Sequence, residues 1–365
     1  NTVDPYLVSD RRTGRLFWAH ATGPVRNEDT LPQDAGFYIA AASGFQVYTS
    51  ADNGYSWTTA DYQTAPTGDW EQLMVGPPPA GSAQPVGYPD VLYLCANAPF
   101  EVTGPGRLCY KSLDGGATFS VAGLVSPTAS NPADICAPLQ FRNGVVDSAG
   151  TLYIPATCQQ ADYIIASHDE GASWSWSRFP DAPTSSSPTK VGGYLQMAVD
   201  DADNLYAMWN DPSDGLLYLE TSLDHGASWS AKQMVAAPGL KMVRRPAIAG
   251  GAAGQVGIAY YGSSDAAATL FTAWITQTRN GVDAQPLWYS APLNDPAAPV
   301  FNDFALTGGR PRTDFVGGAF DAAGTTFWAG MVKQLPGEED PEGAGIATVG
   351  LVGRLPFDDA LGPLR

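Results

Sequence analysis

The chain has 365 residues, 15% charged and 44% hydrophobic, with 40 Gly, 30 Pro, 10 Trp, 16 Tyr and 14 Phe. So few charges beside so many turn formers and aromatics argue against a helical protein, and the apolar content excludes wholesale disorder. The net charge of −18 repels phosphate backbones and anionic lipid, which argues against nucleic acid as a partner, and no stretch nears the ~20 apolar residues of a membrane-spanning helix.

Two turn patterns alternate along the chain. Asp10 to Gly14 is an Asp/Gly turn leading into an alternating strand at Leu16 and Phe17. Ser50, Asp52, Gly54, Ser56 and Trp57 then make the pattern S-x-D-x-G-x-[ST]-W. Pro89 and Asp90, ahead of Val91, read as a shortened turn of the first kind, and Ser112, Asp114, Gly116, Thr118 and Phe119 repeat the second. The alternation continues with Asp147 to Gly150, then Ser167, Asp169, Gly171, Ser173 and Trp174. Asp200 to Asn204 follows, then Ser222, Asp224, Gly226, Ser228 and Trp229. After Ala252 to Gly254, a fifth copy of the second pattern opens at Gln277, keeping Gly281 and losing the aspartate. Asp321 to Gly324 is the last turn of the first kind, and residues 345–355 read as the strand that closes the fold on itself.

In the second pattern the Asp accepts backbone N–H groups across a hairpin turn, the Gly supplies positive φ, and the aromatic anchors the next strand. Six turns of the first kind mean six units, each reading as strand A, turn, strand B, long loop, strand C, aspartate turn, strand D. The expected fold is all-β, a six-bladed β-propeller of four-stranded antiparallel blades in one domain over residues 1–365. The four cysteines cluster as Cys95, Cys109, Cys136 and Cys158. Their spacing contains no C-x-x-C, so bridges Cys95–Cys109 and Cys136–Cys158 are expected, and with them an oxidising compartment. The chain opens at Asn1 without an apolar leader and reads as a mature secreted, extracellular protein.

The S-x-D-x-G-x-[ST]-W segments, with Asp52, Asp114, Asp169 and Asp224 as their structural aspartates, resemble the Asp-box (BNR) repeats of the sialidase superfamily. That resemblance implies a carboxylate clamp of three arginines from different blades, a Tyr nucleophile paired with a Glu, and an Asp acid. One clamp position is met by Arg245, in the run Val243 to Pro246; Asp4 to Leu7 and Gly193 to Gln196, at the other two, contain no arginine. The candidate catalytic residues are therefore Glu71, Tyr260, Asp314 and His20, with Arg245, Arg312, Tyr194 and Trp70 binding substrate. Strand alternation places Arg244 on the face opposite Arg245. The expected function is a glycoside hydrolase or polysaccharide lyase acting on an acidic sugar; the alternative is a non-catalytic propeller binding glycan or protein. No D-x-D-x-D-G loop and no nucleotide-binding motif is present, so no metal or cofactor is expected. The expected partner is a glycan or other small anion, bound by a monomer.

Overall fold

The computed structural model describes residues 2–22, 44–61, 63–64, 71–97, 106–125, 139–141, 143–158, 161–179, 195–265, 270–300, 316–339 and 346–357. All regular secondary structure among them is β, in six antiparallel sheets that are the blades of a six-bladed β-propeller. Two compact units, residues 1–180 with 186–188 and residues 181–185 with 189–365, hold three blades each.

In the first unit, blade one runs β1 (Thr2–Ser9), β2 (Leu16–Thr22), β3 (Gly44–Ser50) and β4 (Thr58–Thr59), with β5 (Gln63–Thr64) also on β3. Blade two is β6 (Gln72–Gly76), β7 (Val91–Asn97), β8 (Arg107–Ser112) and β9 (Ser120–Val125). In blade three, β10 (Leu139–Phe141) and β11 (Val145–Val146) both pair with β12 (Leu152–Cys158), followed by β13 (Ala161–Ser167) and β14 (Ser175–Arg178).

In the second unit, blade four is β15 (Gln196–Val199), β16 (Leu205–Asn210), β17 (Leu217–Ser222) and β18 (Gln233–Met234). Blade five is β19 (Met242–Gly250), β20 (Val256–Ser263), β21 (Thr272–Thr278) and β22 (Tyr289–Pro292). Blade six has β23 (Gly317–Phe320), β24 (Thr326–Glu339) and β25 (Ile346–Pro356). The segment expected to close the fold supplies β25, Ile346–Pro356, whose described partner is β24. A long hairpin satisfies both backbones locally, which a distant pairing does only at the cost of closing a far larger loop.

Strands with both faces covered read as unbroken apolar runs because successive side chains enter different cores. Along β7, Leu92, Leu94 and Ala96 pack with Phe17, Ala19, Phe45 and Val47 of blade one. Val91, Tyr93 and Cys95 turn the other way, onto Leu152, Ile154 and Ile165 of blade three. Blade five repeats this in the second unit: Val256, Ile258 and Tyr260 join the core with blade four, while Ala259 and Tyr261 join Phe327, Ala329 and Met331 of blade six. Contact between blades is close enough that a Cβ on Gly250 would collide with the Val199 carbonyl.

The four S-x-D-x-G-x-[ST] segments fold alike. Each aspartate Oδ1 accepts the hydroxyl of the Ser two residues before it and the N–H four residues on, while Oδ2 accepts the hydroxyl at that later position, at 2.5 to 2.9 Å. Both central residues have positive φ, as in Asn53 (60°) and Gly54 (87°) or His225 (57°) and Gly226 (86°), which is the type I′ hairpin geometry. Blade two puts glycine at both positions, Gly115 and Gly116.

The degenerate fifth copy is one residue out of the expected register: Thr278 and Asn280, rather than Gln277 and Arg279, take the Ser and Asp places. Thr278 Oγ1 donates to Asn280 Oδ1 at 2.9 Å, and the amide oxygen also accepts from Leu287 N at 3.0 Å, so the turn survives with a longer excursion. A second correction concerns Asp90. It organises no turn of its own; it is fully buried and takes the Arg12 guanidinium of blade one on both oxygens. Blade two thus has a long connection over residues 77–90 in place of the short turn.

Cys95 and Cys109 face each other across β7 and β8 and are joined by a disulfide. Cys136 lies outside the described residues, so the Cys136–Cys158 bridge stands as a prediction. Peptide mapping without reductant should recover a Cys136–Cys158 peptide, and a free thiol at either position would refute it. A second prediction follows from the turns. Hydrogen bonds from the Ser56 and Ser228 hydroxyls and N–H groups hold the Asp52 and Asp224 carboxyls down at about 2, from an ordinary 3.8. Their ionised forms therefore stabilise the fold fully above the ordinary value, and that stabilisation is lost as pH falls through about 2. Carboxyl-carbon NMR titration should give midpoints near 2 for both; midpoints at the ordinary value would mean the turns are open in solution.

Candidate functional site

The aspartate turns, and their Gln255 and Asn280 counterparts in blade five, occupy one end of the blades, so the candidate side chains lie at the other end, where strand B meets strand C and the chain enters strand A. In the first unit, His20 is placed there by β2 rather than by a loop, paired with Gln46 across β3. It is 8% exposed and stacks with Trp18 and Tyr48, each ring centroid 5.6 Å away. Its Nε2 shares a 3.2 Å hydrogen bond with the Tyr48 hydroxyl, which in turn donates to Gln46 Oε1 at 2.9 Å. Burial lowers its pKa, so neutral imidazole is favoured.

Glu71, one residue before β6, is 2% exposed, and its neighbour Gln72 donates through Nε2 to Asn143 Oδ1 at 2.9 Å. Arg107, which opens β8, is fully buried and donates through Nη2 to the Cys95 carbonyl at 2.7 Å. Burial pushes the Tyr6 phenol up, an effect the Arg107 charge partly offsets.

In the second unit the entry to β19 carries Arg244 and Arg245, both half-buried. The ladder with β20 runs regularly to Arg244↔Tyr261 and resumes at Ala247↔Ala259, so a bulge separates the arginines from the rest of the strand. Arg245 lies in the left-handed region at φ 48°, a conformation that costs a non-glycine residue free energy and persists only where its surroundings impose it. With the register shift beginning after Arg244, simple alternation no longer fixes the relative direction of the two arginines. Burial and then the Arg245 charge lower the pKa of Arg244. The Arg245 charge also reaches Tyr261, whose phenol burial pushes up to about 12.

The other expected residues sort as follows. Tyr260 is a correction: it lies within β20, fully buried, and its hydroxyl accepts Ala237 N–H at 2.8 Å and bonds Thr276 Oγ1 at 2.7 Å. A phenol with both hydrogen-bonding directions satisfied in the core cannot meet a substrate. Asp314, Arg312, Tyr194 and Trp70 lie outside the described residues. The sequence puts Gln196 and Asn210 at this end without giving either a role; they donate to the carbonyls of Pro246 and Val243, one on either side of the arginine pair. No metal-binding cluster of His, Cys, Asp and Glu occurs among the described residues.

No protein-family model and no curated protein matches the chain. Solved structures do. The NanB sialidase of Streptococcus pneumoniae matches with a TM-score of 0.57 at 10% identity, over 98% of this chain and 69% of that one. The α-L-arabinofuranosidase Arb93A of Fusarium graminearum gives 0.57 at 13% identity, over 99% and 94%. The α-L-arabinanase of Penicillium chrysogenum gives 0.56 at 14%, over 97% and 93%. At such identities the likeness is one of fold, and it places the chain among six-bladed propellers that include glycosidases.

The placement of Tyr260 yields a third prediction. Tyr260→Phe leaves the buried Ala237 N–H without its acceptor and should cost about 1–3 kcal/mol of stability, read as a lower urea midpoint. Ligand binding should be unaffected, and a variant that loses binding while keeping its midpoint would restore Tyr260 as a site residue.

Proposed function

We propose that the chain is a carbohydrate-active propeller of an oxidising, extracellular compartment that holds an acidic sugar by its anion on Arg244 and Arg245 and cleaves its glycosidic bond by hydrolysis or elimination. The observation that carries this reading is the β19 bulge, which brings two half-buried guanidinium groups within electrostatic reach of each other. Like charges in a partly desolvated place raise each other's free energy, and an anion between them lowers both. Among the described residues no carboxylate forms an ion pair with Arg244, although the chain carries 37 Asp and Glu. The planar, bidentate fork of arginine suits a carboxylate or another oxyanion. The glycosidases that share this fold support a sugar as the body carrying that anion, and the Cys95–Cys109 disulfide supports the compartment.

The test is a panel of acidic oligosaccharides assayed for new reducing ends and for the ultraviolet absorbance of unsaturated products. The first signal identifies hydrolysis and the second elimination; binding without either identifies a lectin-like propeller. With a substrate in hand, single substitutions test Glu71, His20 and Asp314 one by one for the proton-transfer roles expected of them from the sequence. Arg245→Lys and Arg244→Lys should each weaken binding by about tenfold, roughly one lost bidentate contact. A silent Arg244→Lys would return the site to Arg245 alone.

A further inference from the structure

We infer that Gln196 and Asn210 are positioning residues that fix the arginine bulge in its anion-holding form, an inference that rests on the reading of Arg244 and Arg245 as the anion site. A bulge removes backbone groups from the ladder, and each must find another partner if it is buried. Pro246 has no N–H, and its carbonyl, which follows Arg245, accepts the Nε2 of Gln196 on β15 of the neighbouring blade. The Val243 carbonyl, which precedes Arg244, accepts Nδ2 of Asn210 at the end of β16, at 3.2 Å. The same oxygen takes Nη1 of Arg244 at 3.4 Å, so Asn210 and the guanidinium share one acceptor. Val243 N donates to the carbonyl of Gly215 at 2.8 Å, a third tie from blade four.

The two amides therefore bracket the dipeptide. Asn210 is 7% exposed, and each amide directs its hydrogen bond to a carbonyl flanking the arginines rather than to its own blade. Left-handed Arg245 needs such bracketing, because without it the strand would relax towards ordinary extended backbone and carry the guanidinium away. Neither amide needs to touch the ligand. Their contribution is preorganisation, which is read as affinity.

Gln196→Met and Asn210→Leu remove the donors while nearly preserving side-chain volume; Asn210→Ala, which also lacks a donor, serves if Asn210→Leu does not fold. Two measurements separate this inference from the function it rests on. The first needs no ligand: in ¹⁵N-labelled protein the Arg244 and Arg245 Nε–H resonances, assigned through the two Arg→Lys variants, should move in both amide variants. The second is calorimetric affinity for free glucuronate, galacturonate and N-acetylneuraminate, which each amide variant should weaken about threefold to tenfold at a temperature where circular dichroism shows it folded. Unmoved arginine resonances, or amide variants binding like the parent while the Arg→Lys variants do not, overturn the positioning role. If the parent binds none of the three sugars, the anion-site reading fails, and the resonances alone decide whether the amides hold the bulge.

Discussion

Aspartate carboxylates accepting the donors of a tight turn are the interaction on which the rest of this structure depends. A blade needs two reversals at the same end, and each leaves N–H groups that no ladder reaches. In the turns at Asp147, Asp200 and Asp321 one carboxylate accepts two of them, and in those at Asp10, Asp52, Asp114, Asp169 and Asp224 it accepts one together with a turn hydroxyl. Within each unit the same end also ties blades together. Arg12 reaches Asp90, Lys111 pairs with Glu170, and Gly254 N–H donates to Asp200 Oδ2 at 2.7 Å. A strained residue such as Glu170 or His225 is tolerated in this setting because the flanking hydrogen bonds exceed its cost.

Spending the polar side chains of one end on its own turns leaves the opposite end to irregular connections and to the few polar groups near them. Those groups sit at the mouths of densely apolar cores, which is why His20, Glu71, Arg107 and Asn210 are buried while still close to strand ends. Burial there sets protonation: it favours neutral imidazole at His20 and holds the Tyr6 and Tyr261 phenols protonated. Charge that remains in such surroundings is chemically useful because little water screens it.

Among the described residues of the second unit, the β19 bulge is a departure from regular ladder geometry that falls at two charged side chains. A regular strand would give one inward arginine and one outward; here the irregularity interrupts that alternation, and the Arg245 charge acts on Arg244. The neighbouring blade supplies amides that donate to the carbonyls on either side of the arginines. Backbone strain, like charges and dedicated donors thus coincide over four residues, Val243 to Pro246.

The sequence by itself determined the repeat. Local turn chemistry is written in adjacent residues, so spacing alone marks six units, their strands and the Cys95–Cys109 pair. It misjudged what depends on neighbours distant in the chain. Asp90 reads as a turn former, yet it serves Arg12 of the next blade. The register of the fifth turn follows Thr278 and Asn280, because hydrogen-bond reach decides it rather than a fixed step. Tyr260 reads as a reactive phenol, yet Ala237 and Thr276 enclose it. Only the tertiary structure shows the bulge beside Arg244 and Arg245, since alternation along a strand holds until a bulge interrupts it. That bulge is stabilised by Gln196 and Asn210, roughly 30 to 50 residues away in the chain, through contacts that no local pattern encodes.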